Sequence, residues 1–344
     1  MTKELKKKSE HGGDIYNNEV IYDLSVNINP FGPPESARQA VSSAMNRLVC
    51  YPEYDKAGLK TAAAECYGVS ADNIICGNGV SELIPAIGRI CRNKRVLIPV
   101  PCYTGYEKAF RENDIVFHYL KREENFLIGN FIAESMEDTG AEAVIFGNPA
   151  NPSGGLADRD VLIKLIDWAK KNGILFIIDE SFIELSDIGE HGSIIDIIYN
   201  YDNLIILRSV TKAYAVPGVR LGFAISSNKE LLKQIERELS EWNISVFAEE
   251  TGRAIFADPL REKYLEDSGR LILRLRRELE EHLQKAGIDH IPSESNFVLL
   301  NTDRDLYNEL LEKKILIRDC RNVRGLGANW YRIAVKEPAG SIVF

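Results

Sequence analysis

An open α/β fold, with a mostly parallel central sheet sandwiched by helices and a smaller α+β C-terminal domain, is what this 344-residue sequence predicts. Three observations predict it. From about residue 55 to 226, apolar runs bounded by turn residues alternate with amphipathic stretches, the texture of βαβ units. Several runs are unbroken, such as Ile174-Leu-Phe-Ile-Ile178 and Leu204-Ile-Ile-Leu207, as expected of strands covered on both faces. After residue 228 helical periodicity takes over, and strands return only near the end.

Taken in order, residues 1–33 are rich in Asn, Pro and Gly, predict no helix, and are expected to pack on the C-terminal domain. The large domain, 34–235, carries predicted strands at Asn73–Cys76, Arg95–Pro99, Ile115–Leu120, Ala143–Gly147, Ile174–Asp179, Asn203–Leu207 and Arg220–Ile225. Amphipathic spacing predicts helices between them at Leu59–Tyr67, Val80–Cys91, Tyr103–Arg111 and Arg159–Asn172. Right-handed crossovers follow from that alternation. In the small domain, 236–344, a helical stretch that begins near Lys229 runs to about Gly287, with a break at Asp258-Pro259. Short strands at Asn296–Leu300, Ile315–Arg318 and Trp330–Val335 surround a helix at Asp303–Lys313.

Composition narrows the function classes. Hydrophobic and charged shares of 45% and 27% are those of a soluble globular protein, and no apolar run is long enough to span a bilayer. Met1–Lys8 is basic without an apolar stretch behind it, so it reads as a solvated tail rather than a secretory signal. Six scattered cysteines, with neither a CxxC pair nor a histidine cluster, predict a reducing cytoplasm and neither zinc nor disulfides. A net charge of −9 argues against nucleic acid as a partner. One basic island stands out. Lys313, Lys314, Arg318, Arg321, Arg324 and Arg332 face a single acid, Asp319, between residues 313 and 332, a setting that attracts a small anion.

Ligands of open α/β sheets bind beyond the carboxyl ends of the strands, and three predicted ends carry chemistry. One closes on Asp179, a carboxylate able to bind a metal, cap a helix or pair with a ring nitrogen. A second runs into Ser209-Val-Thr-Lys212, followed by Arg220. A lysine leaving a buried strand becomes a nucleophile when its surroundings lower its pKa. Ser209, Thr211 and the forked Arg220 could surround a phosphate dianion. The third is Cys76-Gly-Asn-Gly79-Val80-Ser81 at a helix start, an anion site by its free backbone N–H groups. Its spacing matches neither a Walker loop nor GxGxxG, which disfavours ATP and dinucleotides.

The nine defined positions of SxTKxYAxPGxRxG all fall in the fourteen residues Ser209–Gly222. Gly79-Val80-Ser81, Pro101-Cys-Tyr103, Asn148-Pro-Ala-Asn151-Pro-Ser-Gly154 and Asp179 precede them in order. Over nearly its whole length the chain thus resembles the class I/II aminotransferase family of pyridoxal-phosphate (PLP) enzymes, fold type I. The resemblance implies that Lys212 carries the cofactor as a Schiff base and shuttles protons. It implies that Asp179 faces the pyridine nitrogen, Asn151 bonds the phenolic oxygen and Tyr103 stacks on the ring. Gly79, Val80, Ser81, Ser209, Thr211 and Arg220 would hold the phosphate. Tyr51 would reach the phosphate of a neighbouring subunit, which makes a homodimer the expected assembly.

Two segments narrow the branch. His11-Gly12-Gly13 with Asp23-Leu-Ser-Val-Asn27-Ile-Asn29-Pro30 resembles the threonine-phosphate decarboxylases, whose product is the aminopropanol phosphate of the cobalamin side arm. So does Ile315-Leu-Ile-Arg318-Asp319-Cys320-Arg-Asn322. By that resemblance His11, Gly12, Asn27, Asn151, Arg318 and Arg332 bind a small anionic substrate, a phosphorylated amino acid. The substrate amine would take the place of Lys212, and the anchored anions would set the Cα–carboxylate bond perpendicular to the ring. After CO₂ leaves, Lys212 or a water would protonate Cα. Histidinol-phosphate aminotransferases are the rival, holding the Cα–H bond perpendicular instead. A rival from another class is a cofactor-binding regulator or inactive relative. Such regulators carry a winged-helix domain ahead of this fold, for which the segment before Asp23 is too short. Two departures from the family are visible. Ser181 stands where alanine is common, and Lys336–Phe344 lacks the pattern of the C-terminal helix with which the family continues.

Overall fold

The computed structural model describes residues 12–338 and Ile342, so the N-terminal tail and His11 lie outside the described residues. In chain order the main elements are β1 (Tyr22–Asp23), α1 (Glu35–Ala44), α2 (Ala57–Tyr67), β2 (Ile74–Gly77), α3 (Val80–Ile90), β3 (Arg95–Val100), α4 (Thr104–Ala109) and β4 (Asp114–Tyr119). There follow α5 (Phe131–Thr139), β5 (Ala143–Gly147), α6 (Arg159–Lys171), β6 (Leu175–Asp179), β7 (Leu204–Ser209), α7 (Val210–Ala213) and β8 (Gly222–Ile225). The remainder comprises α8 (Lys229–Arg237), α9 (Val246–Phe256), α10 (Arg261–Lys285), β9 (Asp289–His290), β10 (Phe297–Asn301), α11 (Leu306–Glu312), β11 (Ile315–Leu316), β12 (Arg318–Asp319) and β13 (Trp330–Ala334).

Seven strands form one sheet in the order β2-β8-β7-β6-β5-β3-β4, and β8 alone runs against its neighbours. The unbroken apolar runs have the expected cause. Ile145, Ile177 and Ile205 align across β5, β6 and β7 and enter one core, while Phe146, Ile178 and Ile206 enter the other. Successive side chains of a strand point to opposite faces, and here helices cover both.

A four-stranded antiparallel sheet, β12-β13-β10-β9, follows in the C-terminal part. The predicted strand Ile315–Arg318 is divided between two sheets. β11 pairs in parallel with β1, and β12 joins β13, with Ile317 as the crossing residue. Tyr22–Asp23 therefore pairs with this part of the fold, and the segment continues onward. The Asn29 amide donates to the Lys212 carbonyl (3.1 Å), and its side chain donates to Ala213 O (2.7 Å). α9, although C-terminal to residue 235, packs on α1 and α2.

Three helices, α1, α5 and the single turn α7, are absent from the sequence reading. α1 buries only Ala37 and Ala44, too little apolar surface to show a stripe, and α5 is a short helix with two buried positions. Arg220 and Leu221 precede β8 rather than belonging to it, because Arg220 adopts a left-handed backbone (φ 61°). Among the described residues no helix is long and apolar enough to cross a membrane. No group of three or more His, Cys, Asp or Glu there could hold a metal ion, and all six cysteines are free.

Candidate active site

At the carboxyl ends of β2, β3, β5, β6 and β7 the chain leaves a cavity of about 290 Å³. Val80, Ser81, Tyr103, Asn151, Asp179, Ser209, Thr211, Lys212 and Arg220 line it from the large sheet. Gly12, Asn27, Arg318 and Arg332 line it from the other side. Gly79, which caps α3, and Tyr51 do not line it. Tyr51 stands outside the cavity, 76% exposed, with its ring 4.8 Å from Trp242.

Each position follows from local structure. β6 carries Asp179 and Glu180 out in succession, and alternation sends them to opposite sides. Asp179 enters the cavity, whereas Glu180 meets the fully buried Arg208 (3.5 Å). Burial raises the Asp179 pKa, while donors from Ser181 and Tyr106 and the Lys212 charge oppose the rise. Its Oδ2 accepts from Tyr106 Oη (2.8 Å), and Oδ1 from Ser181 N (3.0 Å) and Oγ (2.5 Å).

Lys212 sits in α7, the single turn that follows β7. Its amine lies 5.9 Å from the centroid of the Phe182 ring. Burial first, then the nearby Arg332 and Arg220 charges, bring this amine down from 10.5 to about 8, with Asp179 opposing. Such an amine is partly neutral near physiological pH, the state in which it attacks a carbonyl.

The anion cradle lies beside it. Gly79 caps α3 with φ 74°, and Arg220 Nη2 donates to Ser81 Oγ (2.7 Å). A Cβ on Gly79 would stand 2.6 Å from Arg220 Nη2, and one on Gly222 would stand 2.6 Å from Val80 N. Among the described residues no carboxylate pairs with Arg220. Gly79→Ala is therefore expected to cost about 1–2 kcal/mol of stability through backbone strain. It should also shrink the rise in melting temperature produced by inorganic phosphate. Thermal unfolding with and without phosphate checks both, and an unchanged phosphate response would sink the assignment of this corner as the anion cradle.

Of the basic island, Lys314 pairs with Glu19 (2.5 Å), Arg321 with Asp319 (2.7 Å) and Arg324 with Glu107 (2.6 Å). Arg318 and Arg332 instead face one another across β12 and β13, both buried. Arg318 donates to Asn322 Oδ1 (2.6 Å). Arg332 donates from Nη1 to Asn151 Oδ1 (2.5 Å) and from Nη2 to the Ser25 carbonyl (2.9 Å). Its Nε has no partner, and burial lowers the guanidinium pKa to about 10. Like charges directly opposite in a sheet are destabilising, and among the described residues neither arginine meets a carboxylate. The corner thus holds two buried positive charges with no negative partner among the described residues. Asn27 Oδ1, buried beside it, also lacks a partner.

Sequence reasoning missed Tyr106, Ser25 and Phe182. Tyr106 carries a faint signal, since it follows Tyr103 by three residues at a helix start and so shares its side. Ser25 acts through its backbone carbonyl, which no residue pattern reveals.

The fold and the cavity define an open α/β protein that brings a lysine amine, a buried carboxylate and two buried arginines together at the carboxyl ends of its central strands. The chain belongs to the aminotransferase class I and II family, whose model matches residues 19–341. It is 36% identical over 345 residues to the "Putative threonine-phosphate decarboxylase" of Caldanaerobacter subterraneus, covering 97% of this chain and 91% of that one. It is 33% identical to the crystal structure of the histidinol-phosphate aminotransferase from Clostridium acetobutylicum, with TM-score 0.85, covering 93% and 96% of the two chains. The histidinol-phosphate aminotransferase of Sinorhizobium meliloti, solved in complex with pyridoxal-5'-phosphate, shares the fold at 21% identity and TM-score 0.78, covering 93% and 88%.

Proposed function

We propose that this protein binds pyridoxal 5'-phosphate at Lys212 and decarboxylates L-threonine O-3-phosphate, giving the aminopropanol phosphate used in the cobalamin side arm. The observation that carries the substrate class is the buried pair Arg318 and Arg332, which a molecule bearing both carboxylate and phosphate would neutralise. Similarity to a relative named for threonine-phosphate decarboxylation supports the choice of reaction. The division of the chain into a substrate-binding segment, 1–33, a cofactor domain, 34–235, and a small domain, 236–344, belongs to the same proposal. So does a homodimer in which Tyr51 serves the neighbouring site.

The cavity fits the cofactor on its own observations. Arg220 has no carboxylate partner, a Cβ would fill the glycine cradle at Gly79, and a buried carboxylate shares the cavity with a lysine of lowered pKa. When bound, the cofactor supplies an electron sink for the bond that breaks at the substrate's Cα. The rest falls to the chain. Ser81, Ser209, Thr211 and Arg220 bind the phosphate group, and Asp179 offers a ring nitrogen its carboxylate. Asn151, its Oδ1 held by Arg332, keeps its Nδ2 as the donor for the phenolic oxygen. Arg318 and Arg332 grip the substrate's anions and so decide which bond at Cα is aligned for cleavage. That orientation is worth several kcal/mol of barrier. Lys212 Nζ returns a proton to Cα.

The lowered lysine pKa has a readable consequence. Cofactor capture should accelerate as pH rises through 8 and level off above it, rather than climbing toward 10.5. Stopped-flow capture rates at a series of pH values check this. The folded protein holds fewer protons than the unfolded chain between about 8 and 10.5. Cofactor-free protein therefore gains stability from this group as pH rises across that window.

A second reading, transamination of histidinol phosphate, is favoured by the structural match at 33% identity. Incubation of the loaded protein with phosphothreonine, following CO₂ and 2-oxoglutarate-dependent amino-group transfer, separates the two. CO₂ without a keto-acid requirement supports decarboxylation. Keto-acid-dependent transfer with no CO₂ overturns it.

A further inference from the structure

We propose that Ser181 is a positioning residue of this site, its hydroxyl filling the second acceptor position of Asp179 Oδ1 so that Oδ2 alone remains to receive a ligand's N–H. The inference rests on the cofactor reading above and deepens it. An ionised carboxylate has about four acceptor positions, two on each oxygen. On Oδ1 both are taken by one residue, through Ser181 N at 3.0 Å and Ser181 Oγ at 2.5 Å. On Oδ2 one is taken, by Tyr106 Oη at 2.8 Å. One position is left, and it lies on a defined oxygen. Without the hydroxyl each oxygen would have one position open, and an incoming N–H could be shared between them.

The hydroxyl has a second effect. Asp179 is buried in the cavity wall, a setting that favours the neutral acid, and hydrogen bonds donated to the charged form oppose this. Tyr106 cannot replace the missing donor. Its own hydroxyl is committed to Oδ2, and its burial next to this carboxylate holds it protonated. Ser181 therefore sets both the proton affinity and the direction of the carboxylate. The backbone around it is independently anchored, since Glu180 N donates to Leu207 O (2.9 Å) and Ile183 N to Glu180 O (3.1 Å). Removing one Oγ leaves that turn in place.

The test compares wild type with Ser181→Ala and Ser181→Thr. In protein without cofactor, the carboxyl ¹³C resonance of Asp179 is followed against pH. Ser181→Ala should move its midpoint upward by about one pH unit, and Ser181→Thr, which keeps a hydroxyl, should restore it. In protein reconstituted with pyridoxal phosphate labelled with ¹⁵N in the ring, Ser181→Ala should shift the nitrogen resonance toward the unprotonated value. Coincident midpoints in wild type and Ser181→Ala overturn the proposal, as does a shift that the threonine variant fails to reverse. If wild type takes up no cofactor, the cofactor reading fails, and the cofactor-free titration still decides the role of Ser181.

Discussion

Lys212→Ala protein supplied with pyridoxal phosphate is expected to develop no new absorbance band and to lose turnover by ~10³-fold or more. The magnitude follows from the number of tasks that meet at one atom. On the proposed function, Lys212 Nζ both captures the aldehyde and moves the proton at Cα. Among the described residues no other lysine lines the cavity. Arg220 and Arg332 cannot stand in, because a guanidinium does not give up its proton in the working pH range. Folding should be spared, since the amine spends its burial in an unfavourable setting, as its lowered pKa records. Absorbance after cofactor addition, with thermal unfolding as the control, checks the result. A band that survives in Lys212→Ala would remove the basis for the proposed chemistry.

Arg332→Lys, conservative by charge alone, is expected to lower kcat/KM for the phosphorylated substrate by ~10²-fold. Arg332 uses two nitrogens at once, on Asn151 Oδ1 and on the Ser25 carbonyl, and so joins β13 to the β5–α6 loop and to the N-terminal segment. A lysine ammonium is a point charge and does not reproduce a fork. Each charge-assisted bond lost is worth about 1.5–3 kcal/mol, or roughly ten- to a hundredfold. Freed from Arg332, Asn151 can also turn its amide, so cofactor affinity should fall along with substrate affinity. Steady-state kinetics with phosphothreonine and a cofactor titration check both effects. An unchanged cofactor affinity would show that Asn151 is held by something other than Arg332.

What the sequence revealed and what it hid divide along a physical line. Ser209 to Gly222 was legible because its defined residues lie adjacent in sequence and match the family signature, whereas the left-handed backbone at Arg220 was not, and β8 starts two residues later than predicted. The central strands were legible because both faces are apolar. The strand Ile315–Arg318 was misread as one unit because its division depends on β1, which arrives from almost three hundred residues away in sequence. Charge counting found the basic island without separating its members. Only the fold assigns Lys314, Arg321 and Arg324 to carboxylate partners and leaves Arg318 and Arg332 to the cavity. Ser181 was noticed as an unusual residue, but its contact with Asp179 is a matter of distance. His11, expected beside the substrate, lies outside the described residues.

The N-terminal segment has a mechanical meaning. At one end β1 is laced to β11, and Ala334 N donates to Leu24 O (2.8 Å). A few residues later Asn29 holds the Lys212 carbonyl and the carbonyl that follows it. A short stretch of backbone therefore joins β11 and β13, the latter bearing Arg332, to the peptide that bears Lys212. On the proposed function, one run of backbone thus links the strand that would seat an anion to the amine that would meet it.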